Sequence, residues 1–322
     1  MNLPFISDPY QVSNEDYHHS KKYKDFLSST QLKLMMTSPK WYKYCKDHPE
    51  EQKTTHTMDL GSLYHDMLGS VALGDESYFK SLWQTFTPPV NPKTLKPFGA
   101  DTRAYNEAYE DAIASAQGRQ LTTEDNIKLC ESMINELLEG NPHLSKDIRF
   151  LIKSGQPEQS HFCKYQDFGF KYRTDLKTTS KIIDWKSCAK DTAHPDQVHR
   201  QIIRFNYHIS GAFYQFFDFQ CTGRWRHFYW IFQETEPPFD FIIESADNWC
   251  FEITKDDTGR QLALPKCGAV IMLKLLEQYM NCMTEDVWPG YSIFIPEGFR
   301  KQRINYSKVP AYYEKIMFNF YN

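Results

Sequence analysis

Residues 158–186 alternate aromatic and polar side chains, with interruptions at two short turn-like segments, 167–169 and 177–180. Such alternation is typical of β-strands, because successive residues of a strand point to opposite faces of the sheet. The stretch therefore predicts neighbouring strands joined into hairpins. We expect a second strand pair over 224–233 and 239–254.

Apolar residues recur at helical spacing on both sides of these strands. The helices are expected, in chain order, from Ser29 to about Pro39, from about Met58, and over 101–117, 122–140, 195–219 and 267–283. Residues 85–100 hold four of the 17 prolines and predict an extended loop. This combination predicts an α/β protein with a central mixed β-sheet, flanking helices and a helical N-terminal part.

The length of 322 residues fits one elaborated domain or two small ones. The eight cysteines are never closer than 15 residues, which opposes a zinc or iron–sulfur site built on C-x-x-C pairs. The sequence has no P-loop, no apolar run long enough for a membrane span and no signal-peptide pattern. We expect a cytoplasmic protein without a membrane span.

A net charge of −4 neither supports nor excludes a polyanionic substrate, because local patches decide such binding.

Asp175, Asp184 and Lys186 carry the strongest chemical signal. If 168–175 and 181–187 are neighbouring strands, Asp184 and Lys186 share a face and Asp175 lies close to it at the end of its strand. Two carboxylates can hold Mg²⁺, and a lysine beside the ion can orient water or offset developing charge. A phosphodiester hydrolase needs this constellation. The alternative is an ordinary solvated ion pair.

The D-x-K pattern occurs twice, beginning at Asp175 and at Asp184. Ile182 and Ile183 precede the second copy, which predicts a buried strand. An unpaired charge is costly in such a place. The second copy is therefore the better candidate for a functional pair.

The chain contains, in order, Gly61-Ser62-Leu63-Tyr64-His65, Glu158-Gln159-Ser160, Arg173-Thr174-Asp175, Ile183-Asp184-Trp185-Lys186, Tyr207-His208 through Tyr214, and Trp288-Pro289-Gly290-Tyr291. These six segments resemble the motifs of the PD-(D/E)XK nuclease superfamily, and most closely those of its RecE-like phage exonuclease branch. The resemblance runs from Ser29 to Pro296. It implies a PD-(D/E)XK fold and a single nuclease domain over 1–322, divided into a mostly helical part (1–150), a catalytic α/β core (151–296) and a basic aromatic tail (297–322).

The resemblance also implies roles for six residues: metal ligation by His65, Asp175, Asp184 and the Trp185 backbone carbonyl, catalysis by Lys186 with the two aspartates, and a catalytic place facing the site for Glu158. The implied cofactor is Mg²⁺, with Mn²⁺ as a substitute. Without the resemblance, the sequence would indicate an ordinary core or surface histidine at His65. Glu158 would pass for an exposed residue at the start of a strand.

One segment departs from the family pattern, which usually shows Q-x-x-x-Y on the helix after the catalytic lysine. Tyr214 matches, whereas Ser210 stands where the glutamine is expected. His208 and Gln215 are the candidate substitutes. The departure affects how the DNA end is bound rather than the chemistry.

Arg200, Arg204 and Tyr207 lie on the same predicted helix as Ser210 and Tyr214. Arginines suit phosphate contacts and tyrosines suit base stacking, so these five residues form the expected DNA-binding set. A solvated helix face is the alternative. The tail from 299 to 322 carries five basic residues with aromatics between them, and is expected either to contact DNA or another subunit, or to dock on its own domain.

The resemblance implies a Mg²⁺-dependent 5′ to 3′ exonuclease that acts on linear double-stranded DNA ends and leaves 3′ single strands for phage-type recombination. It also implies a ring-like homo-oligomer, a trimer or tetramer, and a single-strand annealing protein as a possible partner. Three alternatives remain: a PD-(D/E)XK endonuclease of the restriction or repair type, a Cas4-like or AddB-like nuclease, and a non-catalytic DNA-binding or scaffold protein with the same fold. The cysteine spacing opposes the second, which would require a four-cysteine cluster. The third would be expected to lack Asp184 or Lys186, and both are present.

Overall fold

The structure is a computed structural model that describes residues 5–7, 12, 16–17, 20–49 and 56–291. The expected C-terminal tail, 297–322, lies outside the described residues. The strands are β1 (Phe5–Ser7), β2 (Trp83–Thr85), β3 (Gln120–Thr122), β4 (Gln156–Tyr165), β5 (Phe168–Lys177), β6 (Lys181–Cys188), β7 (His227–Glu234), β8 (Phe241–Ser245), β9 (Phe251–Lys255) and β10 (Gln261–Pro265).

The helices are α1 (Ser29–Leu34), α2 (Pro39–Asp47), α3 (His56–Leu73), α4 (Glu76–Leu82), α5 (Arg103–Ser115), α6 (Glu124–Asn135), α7 (Leu144–Ser154), α8 (Pro195–Arg204), α9 (Tyr207–Thr222) and α10 (Cys267–Glu285). A short π-helical turn, Glu136–Gly140, follows α6. In the described part of the chain, no helix has the length and apolar character needed to cross a membrane.

A central sheet has the strand order β1-β4-β5-β6-β7-β8. Strands β6 and β7 are parallel, from Lys181 beside His227 to Cys188 beside Glu234, and the other neighbours are antiparallel. The parallel pair needs a crossover connection, which α8 and α9 supply. The sheet is therefore mixed.

The two faces of the sheet are buried in different hydrophobic clusters. Ile182 and Trp230 pack on one face with side chains of α1, α2, α8, α9 and α10. Ile183, Trp185 and Ile231 pack on the other face with side chains of α3, α6 and α7. Because neighbouring strand residues alternate between two apolar layers, the central strands are buried on both sides. The expected α/β fold, with a mixed sheet between helices, is confirmed.

Several boundaries differ from those that the sequence predicts. The expected helix 195–219 is two helices, because Asn206 adopts a left-handed backbone conformation with φ 54°, which asparagine tolerates better than most residues. The expected strand 239–254 is also divided: a turn closed by the Ala246 carbonyl separates β8 from β9. Helices α2 and α7 and strands β1, β2, β3 and β10 were not predicted.

Candidate active site

Strands β5 and β6 bring Asp175 and Asp184 to the same end of their hairpin. The ladder between these strands consists of Leu176 opposite Ile183 and Lys177 opposite Ile182. Beyond this ladder, a side chain of β5 binds the backbone of β6: the Asp175 Oδ2 accepts a hydrogen bond from the Trp185 N–H at 2.8 Å. The side chain of Asp175 is thereby tied to the strand that carries the other candidate residues.

Asp184 and Lys186 lie two residues apart on β6 and share a face of the sheet. The Lys186 Nζ is 2.7 Å from Asp184 Oδ1 and donates to the Trp185 carbonyl at 3.2 Å. Burial raises the pKa of Asp184, an effect that Lys186 opposes and Asp175 reinforces, and the result is about 6. Burial alone would lower the pKa of Lys186, but the charges of Asp184 and Asp175 raise it above its usual value.

His65, Glu158 and Asp175 form a second group, in which one ligand atom from each residue lies within 4.8 Å of the others. The His65 Nδ1 is 3.4 Å from Asp175 Oδ2. Pro157 pairs with Leu176 and Gln159 with Thr174, so this register puts Glu158 opposite Asp175. Imidazole nitrogen and carboxylate oxygens are suitable donors for a divalent cation.

The backbone at Glu158 has a φ of 49°, a left-handed conformation that costs a non-glycine residue roughly 1–2 kcal/mol. Such strain is concentrated at functional sites. Gly69 of α3 lies over this position: a Cβ there would be 3.1 Å from the Tyr78 ring and 3.6 Å from Glu158 Cγ. The missing side chain lets the helix that carries His65 come close to β4.

The three ionisable side chains of this group shift one another's pKa. Burial, followed by the charge of Asp175, raises the pKa of Glu158 to about 8. Burial would lower the pKa of His65, but the charge of Asp175 and its hydrogen bond raise it to about 9. Burial would raise the pKa of Asp175, but His65, Lys186 and the Trp185 N–H together outweigh it and lower the pKa to about 2. A bound cation would stabilise the ionised carboxylates in the same way as the protonated imidazole does.

The expected metal ligands are therefore divided between two neighbouring groups. Asp184 is not a member of the group formed by His65, Glu158 and Asp175, and its Oδ1 is paired with Lys186. Glu158, expected to face the site, contributes a donor atom instead. The two groups are joined through Asp175, which binds the N–H of Trp185 between Asp184 and Lys186.

The expected DNA-binding residues occupy different positions relative to these groups. The Lys186 Nζ lies over the Tyr207 ring, 5.2 Å from its centroid. Tyr214 is half-buried, and burial raises its pKa well above the usual value, with smaller contributions from Tyr17 and Asp184. Tyr207 therefore lies against the Asp184–Lys186 pair, and the charge of Asp184 acts on Tyr214.

The two arginines are exposed. Arg200 donates to Gln197 at 3.0 Å, and the guanidinium of Arg204 lies over the Phe205 ring. Both contacts are with residues of α8 or the residue that follows it. In these positions the arginines can contact only a phosphate that lies along the protein surface.

Ser210, in place of the family glutamine, is half-buried on α9. The two candidate substitutes are both bound to the backbone. Gln215 donates to the carbonyls of Arg226 and Phe251 and accepts from the Phe251 N–H, and a ring nitrogen of His208 lies 3.3 Å from the Ile202 carbonyl. Gln215 is thus committed to β9, which argues against it as the substitute.

The structure adds two residues that the sequence did not single out. Burial and the nearby ammonium of Lys186 lower the pKa of Lys33, on α1, to about 8. Asp66 follows His65 on α3, accepts a hydrogen bond from the Trp83 indole at 2.7 Å, and burial raises its pKa. The position of Asp66 next to His65 could have identified Asp66 from the sequence as a residue close to the site. Lys33 is brought to the site by the packing of α1 on α9, which leaves no mark in the sequence.

A mixed sheet flanked by helices, with an acidic residue at the end of one strand and a D-x-K pair on the next, defines the PD-(D/E)XK nuclease fold. Residues 28–293 match the family described as a PDDEXK-like domain of unknown function (DUF3799). Since the match covers most of the chain, the chain belongs to this family. The superfamily expected from the six sequence segments is confirmed.

One solved structure supports the fold. The crystal structure of a "Putative exonuclease" from Eubacterium rectale is 14% identical, and the similarity covers 92% of this chain and 94% of that chain with a TM-score of 0.50. The crystal structure of SSO0001 is also 14% identical, with 78% and 84% covered, but its TM-score of 0.24 is too low to support a shared fold. None of the curated proteins compared matches the chain.

Proposed function

We propose that the chain is a metal-dependent deoxyribonuclease that degrades linear double-stranded DNA from its ends. One observation carries this proposal: a carboxylate–imidazole group and an Asp184–Lys186 pair meet at one end of a buried hairpin through Asp175. Buried charge without a partner is costly, and this arrangement has the donors and the ammonium that phosphodiester hydrolysis requires. The family membership supports the same reaction class.

His65, Glu158 and Asp175 would hold the cation, with Asp184 and the Trp185 carbonyl as adjacent oxygen donors. Mg²⁺ and Mn²⁺ both suit the carboxylate and carbonyl oxygens of this set. When bound, such a cation supplies a Lewis acid that polarises the scissile phosphate and lowers the pKa of a bound water.

Lys186 would act on the reacting phosphate through its positive charge. Its ammonium is held by Asp184 and the Trp185 carbonyl, so it is already oriented before the substrate arrives. Preorganised donors stabilise charge that develops in the transition state. Tyr207, whose ring lies beneath the ammonium, restricts it further and offers a ring edge or face to a nucleotide.

The finer features rest on the resemblance of the six segments to the RecE-like branch. These are the 5′ to 3′ direction, the 3′ single-stranded product, the role in recombination, the ring-like trimer or tetramer and the annealing partner. The division of 1–322 into a helical part, a core and a tail has the same support. Sedimentation that shows only monomers at micromolar concentrations would contradict the ring.

End dependence is tested with two forms of the same plasmid, one linearised and one covalently closed. In Mg²⁺ and at matched salt, which must be fixed because phosphate contacts are salt-sensitive, linear DNA should be degraded and closed circles should survive. Lys186→Ala should slow the degradation of linear DNA by at least about 10²-fold, whereas Lys181→Ala, at the far end of the same strand, should not. Circles cut as fast as linear DNA would replace the exonuclease with an endonuclease of the same fold.

A further inference from the structure

A strongly basic segment lies near the N-terminus of the described chain. Residues 20–49 contain seven lysines and two aspartates, a net charge of +5. The whole chain has a net charge of −4, so the remaining residues carry −9. The segment comprises a turn, α1 and α2, and its parts are in contact: the turn reaches the end of α2 through Asp25, 3.5 Å from Lys46.

Helix α2 presents a row of aromatic rings on the outside of this segment. Trp41 is 43% exposed and Tyr44 40% exposed. Their rings are stacked, with centroids 5.7 Å apart and planes inclined by 16°, and the Tyr44 ring stacks in turn on His48 at 4.3 Å. The spacing of three residues places Trp41 and Tyr44 on one helix face, and His48, the residue after the helix, continues the stack. We call Trp41, Tyr44 and His48 the aromatic row.

The lysines of α2 flank this row. Lys40 is exposed. Lys43 pairs with Asp47 at 2.6 Å, but both side chains are substantially exposed, and exposed ion pairs of this kind contribute little. A phosphate group can therefore compete for the lysine. Flat rings interleaved with cations are the surface that binds single-stranded nucleic acid, with bases on the rings and phosphates on the lysines.

A chain of contacts connects α1 to the candidate active site. The Lys33 Nζ donates to the Phe205 carbonyl at 3.4 Å, the Phe205 ring stacks on Tyr207, and the Tyr207 ring lies beneath the Lys186 ammonium. Trp41 follows Lys33 by eight residues, which span at most roughly 28 Å. An oligonucleotide of 20 residues is long enough to touch both places.

We propose that the aromatic row and the lysines of α2 form a binding track for single-stranded DNA that leads to or from the active site. The proposal deepens the proposed function and rests on it. A duplex hides the faces of its bases, whereas a single strand exposes them, so the rings favour the strand that is left unpaired as an end is degraded. The net charge of +5 on this segment suits a polyanion, whereas the remaining residues carry a net negative charge.

The chain contains a matched control for the stacked pair. Tyr105 and Tyr109 on α5 are stacked at 5.9 Å with planes inclined by 15°, and Tyr109 is 37% exposed. Residues 101–115 around them carry four acidic residues and one arginine. This pair has stacked aromatic rings, like the row on α2, but its surroundings carry a net negative charge instead of a net positive one.

The test is a fluorescence anisotropy titration of the full chain with labelled dT20 and with a blunt 20-bp duplex, in EDTA so that no cleavage interferes. Trp41→Ala/Tyr44→Ala should bind dT20 at least about tenfold more weakly, because the variant loses both rings on which bases would stack. Tyr105→Ala/Tyr109→Ala should bind it like the wild type. Trp41→Phe should keep most of the affinity. Lys40→Gln/Lys43→Gln, which leaves the rings in place, should reduce the salt dependence of dT20 binding.

Unchanged dT20 affinity in both double variants of α2 would overturn the proposal, as would a wild type that does not bind dT20. An equal loss for the duplex would also overturn it, because bases on the rings require a single strand. If the α2 variants instead change only the sedimentation coefficient, the row is a contact between protein copies. A chain that binds dT20 through Trp41 but cuts no DNA would contradict the proposed function and not the track.

Discussion

The Oδ2 atom of Asp175 accepts a hydrogen bond from the Trp185 backbone N–H at 2.8 Å, in the place where the β5–β6 ladder ends. The same oxygen lies 3.4 Å from His65 Nδ1. One carboxylate thus connects the helix that carries His65 with the strand that carries Asp184 and Lys186. Because all three elements meet at this side chain, the two halves of the site are held at a fixed separation before any cation or DNA is bound.

Lys186→Ala should lower the rate of DNA cleavage by about 10²- to 10³-fold, the loss typical for removing one donor that stabilises a developing charge. Single-turnover kinetics with linear duplex measures the rate, and anisotropy measures DNA affinity in the same buffer. Lys181→Ala, on the same strand with its ammonium over Tyr229, is the control. A fall in affinity as large as the fall in rate would reduce Lys186 to a phosphate contact.

His65→Ala and Glu158→Gln should each weaken Mn²⁺ binding by at least about tenfold. Residues that merely support a metal ligand cost roughly 10–100-fold when mutated, so loss of a ligand should cost no less. Isothermal titration calorimetry of the DNA-free protein measures this without relying on activity. His199→Ala, an exposed histidine on α8, should bind Mn²⁺ normally. Unchanged affinity in both site variants would place the cation elsewhere.

Asp218→Asn should lower the free energy of unfolding by about 3–5 kcal/mol, the usual cost of breaking a buried ion pair. Asp218, on α9, accepts from Lys177 at 3.1 Å and from Tyr172 at 3.0 Å, and it also binds Arg226. Asparagine would leave two buried cations without their counter-charge.

Urea denaturation followed by circular dichroism tests this prediction. Asp247→Asn, in a half-exposed pair with His227, is the control and should change stability by less than about 1 kcal/mol. Equal effects of the two substitutions would show that the network around Asp218 does not hold α9 to the sheet.

The central part of the fold was predictable because its signals are local. The alternation over 158–186 and the turns within it predict β4, β5 and β6, and the isoleucines before Asp184 predict a strand buried on both sides. The periodicity around Leu63 predicts the helix that carries His65. These elements position most of the candidate site.

The remaining features depend on tertiary packing. The apolar pattern of α8 continues into α9, and only the left-handed backbone of Asn206 separates them. Nothing in the sequence around Lys33, a polar residue on a short helix, indicates a place near the site. The packing of the helix nevertheless brings Lys33 near Lys186. The left-handed φ of Glu158 has no sequence signal, because glutamate rarely adopts it.

The most direct test of the nuclease is the release of acid-soluble nucleotides from linear duplex DNA by the wild type and by Asp184→Asn. We expect release by the wild type in Mg²⁺ or Mn²⁺ that stops in EDTA. Asp184→Asn, with a melting temperature close to that of the wild type, should release at least about 10²-fold less, because Lys186 loses the carboxylate that orients it. Release by Asp184→Asn at the wild-type rate, or no release by the wild type with either metal, would contradict the account.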